Sequence, residues 1–140
     1  MKLTLANSHL HPAIEFLHTL KLSGATSRAR TRLIHLLQPH LKALQEAEYT
    51  LVAEHAQPNE DGTPAIREDG TFTLQNPEHA SDYAAEHDTL FKEIAHIEQG
   101  TYTGHRQACI DLLTAYDQPL SGTDADIYDA LLSALEEGSD

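Results

Sequence analysis

Apolar residues recur at intervals of three and four along most of this chain, a spacing that predicts amphipathic helices. The first such stripe consists of Leu10, Ile14, Leu17 and Leu20. It predicts a helix over about residues 8–20, with Asn7 or Ser8 as its N-cap. Residues 2–5, KLTL, instead alternate between polar and apolar and predict a short strand. Gly24 then ends the helical pattern and turns the chain.

A longer stripe predicts a second helix, which Ser27 would cap and which would run to about Ala56. Its core face would be formed by Leu33, Leu37, Leu41, Leu44, Leu51 and Val52. Pro39 falls inside this run and removes one backbone donor. We therefore expect Pro39 either to kink the helix or to split it.

The segment 57–77 changes character, because five glycines and prolines interrupt it. Within it, Phe72 and Leu74 alternate with threonines after an Asp69-Gly70 turn, which predicts a small β-hairpin near 64–75. A mobile loop is the alternative interpretation. We expect no internal repeat. We interpret the whole segment as an insertion into a single helical domain that spans 1–140.

Three more helices complete the prediction. The third would run from about Pro77 or Ser81 to Glu98, with Leu90, Ile94 and Ile97 facing inward. The fourth would span about 102–116, and the fifth would start at a Thr123 cap. The predicted fold is thus mainly α (α+β), with about five helices, a short N-terminal strand and a small β-hairpin.

Composition narrows the possible functions. The chain has 140 residues and a formal net charge of -13, with 9 basic and 22 acidic side chains. That balance argues against general nucleic-acid binding, which needs a Lys/Arg surface, but it is compatible with a basic protein partner. No apolar run is long enough for a membrane span, and the one cysteine, Cys109, cannot form an internal disulfide. We therefore expect a cytoplasmic protein without membrane contact.

Motifs of catalysis and metal binding are mostly missing, since no phosphate-binding loop, nucleophile elbow or CxxC occurs. Glu15-x-x-His18 and Glu93-x-x-His96 have the spacing used in helical di-iron sites. On the predicted helices, however, both pairs point away from the apolar face. We therefore expect no enzyme activity, no catalytic residues, no metal and no cofactor.

The stretch TSRARTR, residues 26–32, does not fit its surroundings. With Ser27 as the cap, Arg28, Arg30 and Arg32 would lie at the positive end of the helix dipole, where cations are unfavourable. A bound anion would reverse that sign. Guanidinium groups, helix amides and the hydroxyls of Ser27 and Thr26 together form a typical phosphate-binding set.

Three interpretations of this cluster remain open. The arginines could belong to an ion-pair network, either within the chain or between subunits. They could bind a phosphorylated small molecule such as a nucleotide, or they could contact nucleic-acid phosphate, which the net charge disfavours. Phe16 and Tyr49 are nearby aromatics that could stack on a base, although packing is their more ordinary role.

The segments KLTLAN, AIEFLHTLKLSGATSRARTRLIHLL and LKALQEAEYTLVAEHA carry a resemblance. They resemble a family of small proteins of unknown function that are encoded by tailed phages of Gram-positive bacteria. The resemblance is best over the first 56 residues and supplies no catalytic residues. It implies a phage product in the host cell cytoplasm and a homo-oligomer.

These observations lead to two hypotheses. The first is a non-enzymatic phage protein that binds a phosphorylated small molecule, a nucleotide or a nucleotide-derived immune signal, and so acts as a counter-defence sponge. The second is an acidic interaction module that blocks the basic nucleic-acid-binding surface of a host defence protein, such as a CRISPR or other nuclease, or that assists virion assembly.

Overall fold

The computed structural model describes all 140 residues and confirms the mainly helical fold. The elements in chain order are β1 (Lys2–Ala6), α1 (Asn7–Thr19), α2 (Gly24–His55), α3 (Ala80–Lys92), β2 (Ile94–Glu98), α4 (His105–Thr114) and α5 (Gly122–Glu137). A short 3₁₀ turn, Pro77–His79, precedes α3. No helix combines the length and the apolar composition that crossing a membrane requires.

The chain divides into two compact units. Unit 1 comprises residues 1–41 and 93–140, and unit 2 comprises residues 42–92. Helix α2 begins in unit 1 and ends in unit 2. The boundaries therefore fall after Leu41 and Lys92.

The core of unit 1 is built from α1, the first half of α2, α4, α5 and the two strands. Helix α5 packs against α1, α4 and β1. The apolar stripe that the sequence predicts for α1 is buried here, as are Leu33 and Leu37 of the predicted α2 stripe. The last three residues of that α2 stripe belong to unit 2. The fully buried leucines of this core are Leu10, Leu17, Leu33, Leu37, Leu113, Leu131 and Leu135.

The prediction of a third helix reaching Glu98 is wrong in its last turns. Helix α3 ends at Lys92, and β2 pairs antiparallel with β1, placing Ile97 opposite Leu3. Ile97 is buried as predicted, but Ile94 is 53% exposed. The physical reason lies in β1, whose backbone donors and acceptors need partners that residues 94–98 supply as a strand.

The start of α2 also differs from the prediction. The helix begins at Gly24, and the Ser27 amide donates to the Ser23 carbonyl at 3.4 Å, so Ser27 is not the N-cap. Arg28 therefore lies more than one turn into the helix and not at its first position. The helix continues through Pro39 to His55, so the proline does not split it.

In unit 2, residues 56–75 form three antiparallel bridges: Ala56 with Leu74, Pro58 with Pro64, and Ile66 with Phe72. The last of these is the predicted hairpin. Its turn closes with a hydrogen bond from the Arg67 amide to the Thr71 carbonyl at 2.8 Å. Gly70 adopts a φ of 84°, a conformation that favours glycine.

The same segment contains an internal repeat that the sequence analysis overlooked. Residues 60–63 and 68–71 both read Glu-Asp-Gly-Thr. In each copy the aspartate accepts hydrogen bonds from the threonine hydroxyl at 2.6 Å and from the threonine amide at 3.0 Å. These bonds lower the pKa of Asp61 and Asp69. The two turns are thus one local structure used twice.

The C-terminal residues pair with β1, which gives a first prediction. Lys2 and Ser139 exchange two backbone hydrogen bonds, at 2.7 and 2.9 Å, and a Cβ on Gly138 would lie 2.1 Å from the Lys2 carbonyl oxygen. We expect Gly138→Ala to detach this pairing and to lower the free energy of unfolding by about 1–2 kcal/mol. Urea unfolding followed by circular dichroism measures the change.

Gly100→Ala is the matched control, because a Cβ on Gly100 would meet no atom within 4 Å. Equal stabilities of the Gly138→Ala and Gly100→Ala variants would contradict the pairing of the C-terminal residues with β1.

Candidate anion-binding site

The three arginines of TSRARTR lie on two sides of α2. Each residue of a helix turns by about 100°, so residues four apart share a face and residues two apart do not. Arg28 and Arg32 therefore lie on one face, while Arg30 lies on the opposite side. The sequence cluster is divided between two environments.

Arg30 meets the end of α1. Its Nη1 donates to the carbonyl oxygens of Leu17 at 2.9 Å and Leu20 at 2.6 Å, and its Nη2 donates to Ser27 Oγ at 3.3 Å. The final carbonyls of a helix lack intrahelical partners and carry the negative end of its dipole. The charge of Arg30 is therefore well placed at the C-terminal end of α1. Arg30 and Ser27 act as structural residues.

Arg106 does the same for α5. Its Nε donates to the Leu135 carbonyl at 2.7 Å and its Nη2 donates to the Glu136 carbonyl at 2.8 Å. Two of the five arginines of this chain thus cap helix C-termini, a role in which the guanidinium fork satisfies two carbonyls at once.

Arg28 and Arg32, in contrast to Arg30 and Arg106, do not cap a helix C-terminus. Both side chains are exposed, and every ion pair of the chain involves a lysine or a histidine. The ion-pair network within the chain, one of the three interpretations, is therefore not observed. What remains of that interpretation is a network that pairs these arginines with a second subunit.

The aromatic neighbour of Arg28 is Tyr102. The guanidinium carbon of Arg28 lies 5.4 Å from the centre of the Tyr102 ring, a cation–π contact, and that ring stacks on His105 at 4.6 Å. Tyr102 remains 37% exposed. Sequence alone does not assign Tyr102 to this site, because it lies far along the chain, just before α4, and only the fold brings it to α2.

The two aromatics that the sequence analysis named are elsewhere. Phe16 is buried and packs edge-on against Tyr116 at 5.7 Å and Tyr128 at 6.1 Å. Tyr49 belongs to unit 2 and is 51% exposed. Phe16 therefore has the packing role.

A cleft of about 510 Å³ lies between the first turn of α2 and α4, with Tyr102 in its wall. Thr26 lines this cleft and Ser27 does not. Neither Arg28 nor Arg32 lines it, and Tyr102, which Arg28 contacts, connects the cleft to the Arg28 face. The only carboxylate in the lining is Asp111, which accepts a hydrogen bond from Gln107 Nε2 at 2.8 Å. The lining residues are Ala25, Thr26, Tyr102, Thr103, Gly104, Ala108, Asp111, Leu112 and Ala115.

His105 supports this wall from within the core. It is 1% exposed, and its Nε2 lies 2.9 Å from the Ala29 carbonyl oxygen while its Nδ1 lies 2.8 Å from the Thr101 hydroxyl. The carbonyl can only accept, so Nε2 carries the proton and the Thr101 hydroxyl donates to Nδ1. Burial lowers the pKa of His105, and the positive charge of Arg32 acts in the same direction.

This lowered pKa predicts acid sensitivity. The folded state favours neutral His105, so its contribution to stability is complete above the unfolded-state pKa of about 6.5 and is lost as the pH falls below that value. We expect His105→Gln to lower the free energy of unfolding by about 1–3 kcal/mol at pH 7.5. The difference from wild type should shrink toward pH 5 in urea-unfolding measurements.

His35→Gln on α2 is the control, because His35 is exposed. Its free energy of unfolding at pH 7.5 should stay close to that of wild type. A His105→Gln difference that does not change between pH 7.5 and pH 5 would rule out the buried neutral histidine.

Cys109 and the two Glu-x-x-His pairs are the other residues of unit 1 that the sequence offers for catalysis or metal binding. Cys109 is fully buried, and burial raises its pKa to about 12, so its thiol stays protonated near neutral pH and does not act as a nucleophile. Glu15, His18, Glu93 and His96 are exposed, and the last two lie outside any helix. The helical spacing that a di-iron site requires is therefore absent from the second pair.

Comparisons with known proteins add no family. No protein-family model, curated protein sequence or solved structure matches this chain significantly.

Proposed function

We propose that this protein is a non-enzymatic binder of a phosphorylated small molecule, a nucleotide or a nucleotide-derived signal. The site consists of Arg28, Arg32 and Tyr102 with the adjoining cleft between α2 and α4. One observation carries the proposal: two exposed arginines share a helix face, yet neither pairs with any of the chain's 22 acidic side chains.

The electrostatics of α2 favour a ligand at this face. Two cations one turn apart repel each other by about 0.2–0.5 kcal/mol, and a bound phosphate would turn that repulsion into attraction. Guanidinium groups bind phosphate through paired hydrogen bonds that are stronger than neutral ones. Contact with the Tyr102 ring holds Arg28 in place, which lowers the entropy that binding must overcome.

The nucleoside part of the ligand would bind in the cleft. Its volume of about 510 Å³ lies within the range of small-molecule sites. Thr26 and Thr103 offer hydroxyls, and Asp111 offers an acceptor suited to a sugar hydroxyl or a base amino group. In this arrangement the phosphate lies at the arginines and the nucleoside part lies in the cleft. Arg30 and Ser27 contribute only by fixing the start of α2 against α1.

The resemblance to tailed-phage proteins supplies the biological context of the proposal. A phage product of this kind would act in the host cell cytoplasm, as a homo-oligomer, by sequestering a nucleotide signal of host immunity. It would need no cofactor and no catalytic group.

The net charge of -13 favours a second candidate, an acidic surface that covers a basic host protein. Screening by salt would weaken that association, and removal of two exposed arginines would not weaken it.

The test of the proposal is calorimetric titration of tag-free protein with matched pairs of compounds. Each pair consists of a nucleoside and its 5′-phosphate, and cyclic and linear dinucleotides extend the panel. We expect at least one phosphorylated member to bind while its nucleoside does not. Binding of the nucleoside as tightly as the nucleotide, or of no member of the panel, would overturn the proposal.

A further inference from the structure

Unit 2 contains two contacts between a histidine and a carboxylate, each joining the second half of α2 to α3. His55 Nε2 lies 2.9 Å from Glu86 Oε2, and His87 Nε2 lies 2.8 Å from Glu48 Oε2. The two pairs are chemically alike, but only the first has a further carboxylate beside it, that of Glu54.

Glu54, His55 and Glu86 form a compact donor set. One ligand atom from each side chain lies within 4.8 Å of the other two. No lysine or arginine pairs with either glutamate. Glu54 and His55 also belong to the last turn of α2, the negative end of the helix dipole, where carboxylates are unfavourable. Without a cationic partner and near the negative end of α2, the two carboxylates repel each other and the dipole, and a bound cation would remove this repulsion.

We infer that Glu54, His55 and Glu86 bind a divalent first-row transition-metal ion, for which Zn²⁺ is the best probe. One imidazole nitrogen and two carboxylate oxygens suit Zn²⁺ and its neighbours, whereas Mg²⁺ and Ca²⁺ prefer oxygen ligands alone. The set supplies three ligands, which leaves at least one coordination position for water. This inference departs from the expectation, based on sequence alone, that the chain has no metal site.

The three side chains would move little to bind the ion. Zinc bonds of about 2.0–2.2 Å in a tetrahedron separate neighbouring ligand atoms by about 3.4 Å. The His55–Glu86 pair, now at 2.9 Å, would open by about 0.5 Å to admit the ion. Glu54, within 4.8 Å of both, would close inward, which a glutamate at the end of a helix can do by rotation of its side chain.

Neighbouring residues already hold the imidazole in place. The side chain of His55 is only 15% exposed, and its ring packs edge-on against Tyr83 at 5.3 Å. Tyr83 in turn packs against Phe72 at 5.2 Å, and the His55 carbonyl accepts a hydrogen bond from the Gln75 amide at 2.8 Å. An ion bound here would connect α2 to α3 and stabilise unit 2.

The test uses tag-free protein, stripped with a chelator and titrated with Zn²⁺ by calorimetry in excess Mg²⁺. We expect one zinc ion at this site per chain and an affinity at least tenfold lower in Glu54→Gln. That variant retains the His55–Glu86 contact, so a loss separates metal binding from the stability of the pair. His55→Ala should lose the site, and thermal unfolding of each variant shows whether the fold persists.

His87→Ala is the matched control, since it removes the other histidine of the same two helices and should leave zinc affinity unchanged. The chain has ten histidines, and adventitious binding is the competing explanation. If Glu54→Gln binds zinc like wild type, or if His87→Ala weakens binding as much as His55→Ala, the inferred site is wrong. Failure of the stripped protein to bind zinc would also overturn it. None of these outcomes bears on the arginine site of unit 1.

Discussion

Replacing Arg30 with methionine is expected to lower the free energy of unfolding by about 2–3 kcal/mol, because hydrogen bonds from a charged donor contribute more than neutral ones. The variant leaves the carbonyls of Leu17 and Leu20 without the guanidinium that now caps α1. Methionine keeps the length and the helix propensity of the side chain, so the loss reports on the cap. Urea unfolding followed by circular dichroism measures it.

Arg28→Met and Arg32→Met are the matched controls on the same helix. Both residues are exposed and neither contacts a carbonyl of α1, so each variant should stay within about 0.5 kcal/mol of wild type. If all three variants lost the same stability, the arginines would act as one cluster. The division between a structural arginine and two ligand-binding arginines would then be wrong.

The second large effect is on ligand binding. The double variant Arg28→Ala/Arg32→Ala should bind the nucleotide identified by the titrations at least 100-fold more weakly, about 2.7 kcal/mol or more. Each single variant should lose about tenfold, since each removes one charge-assisted contact to phosphate. Calorimetric titration at a fixed salt concentration gives the affinities, and thermal unfolding confirms that the variants stay folded.

A control for net charge is available in unit 2. The variant Arg67→Ala/Lys42→Ala also removes two positive charges, but from exposed side chains outside unit 1. Its nucleotide affinity should equal that of wild type. Equal losses in both double variants would mean that overall charge, and not the Arg28 face, governs binding.

Much of the fold was predictable because its determinants are local. The stripe of α1 is buried throughout, and in the longer stripe of α2 most positions are buried while Leu41 and Leu51 are half-buried. The segment IAHIE of β2 was not predictable, because its apolar spacing suits a helix as well as a strand. It forms a strand because it pairs with β1, more than 80 residues earlier in the chain. Long-range pairing commonly overrides local propensity in this way.

The sequence predicted one arginine cluster, which the structure divides between two sides of α2. The predicted first residue of α2, Arg28, lies four residues after the observed one, Gly24, and the role of Arg30 depends on where α1 ends. Neither Tyr102 nor the cleft wall could be assigned, because α4 meets α2 only in the folded unit. The two Glu-Asp-Gly-Thr turns, by contrast, could have been predicted, because the same four residues occur twice in the sequence.

The central claim is that Arg28 and Arg32 bind the phosphate of a small molecule. Native mass spectrometry tests it most directly, with protein purified from host lysate that has been loaded with candidate nucleotides. The mass is compared before and after denaturing release, which also gives the number of subunits. We predict a phosphorylated compound released from wild type and absent from Arg28→Ala/Arg32→Ala. Wild type without any bound compound, or a variant that retains the same compound, would contradict the claim.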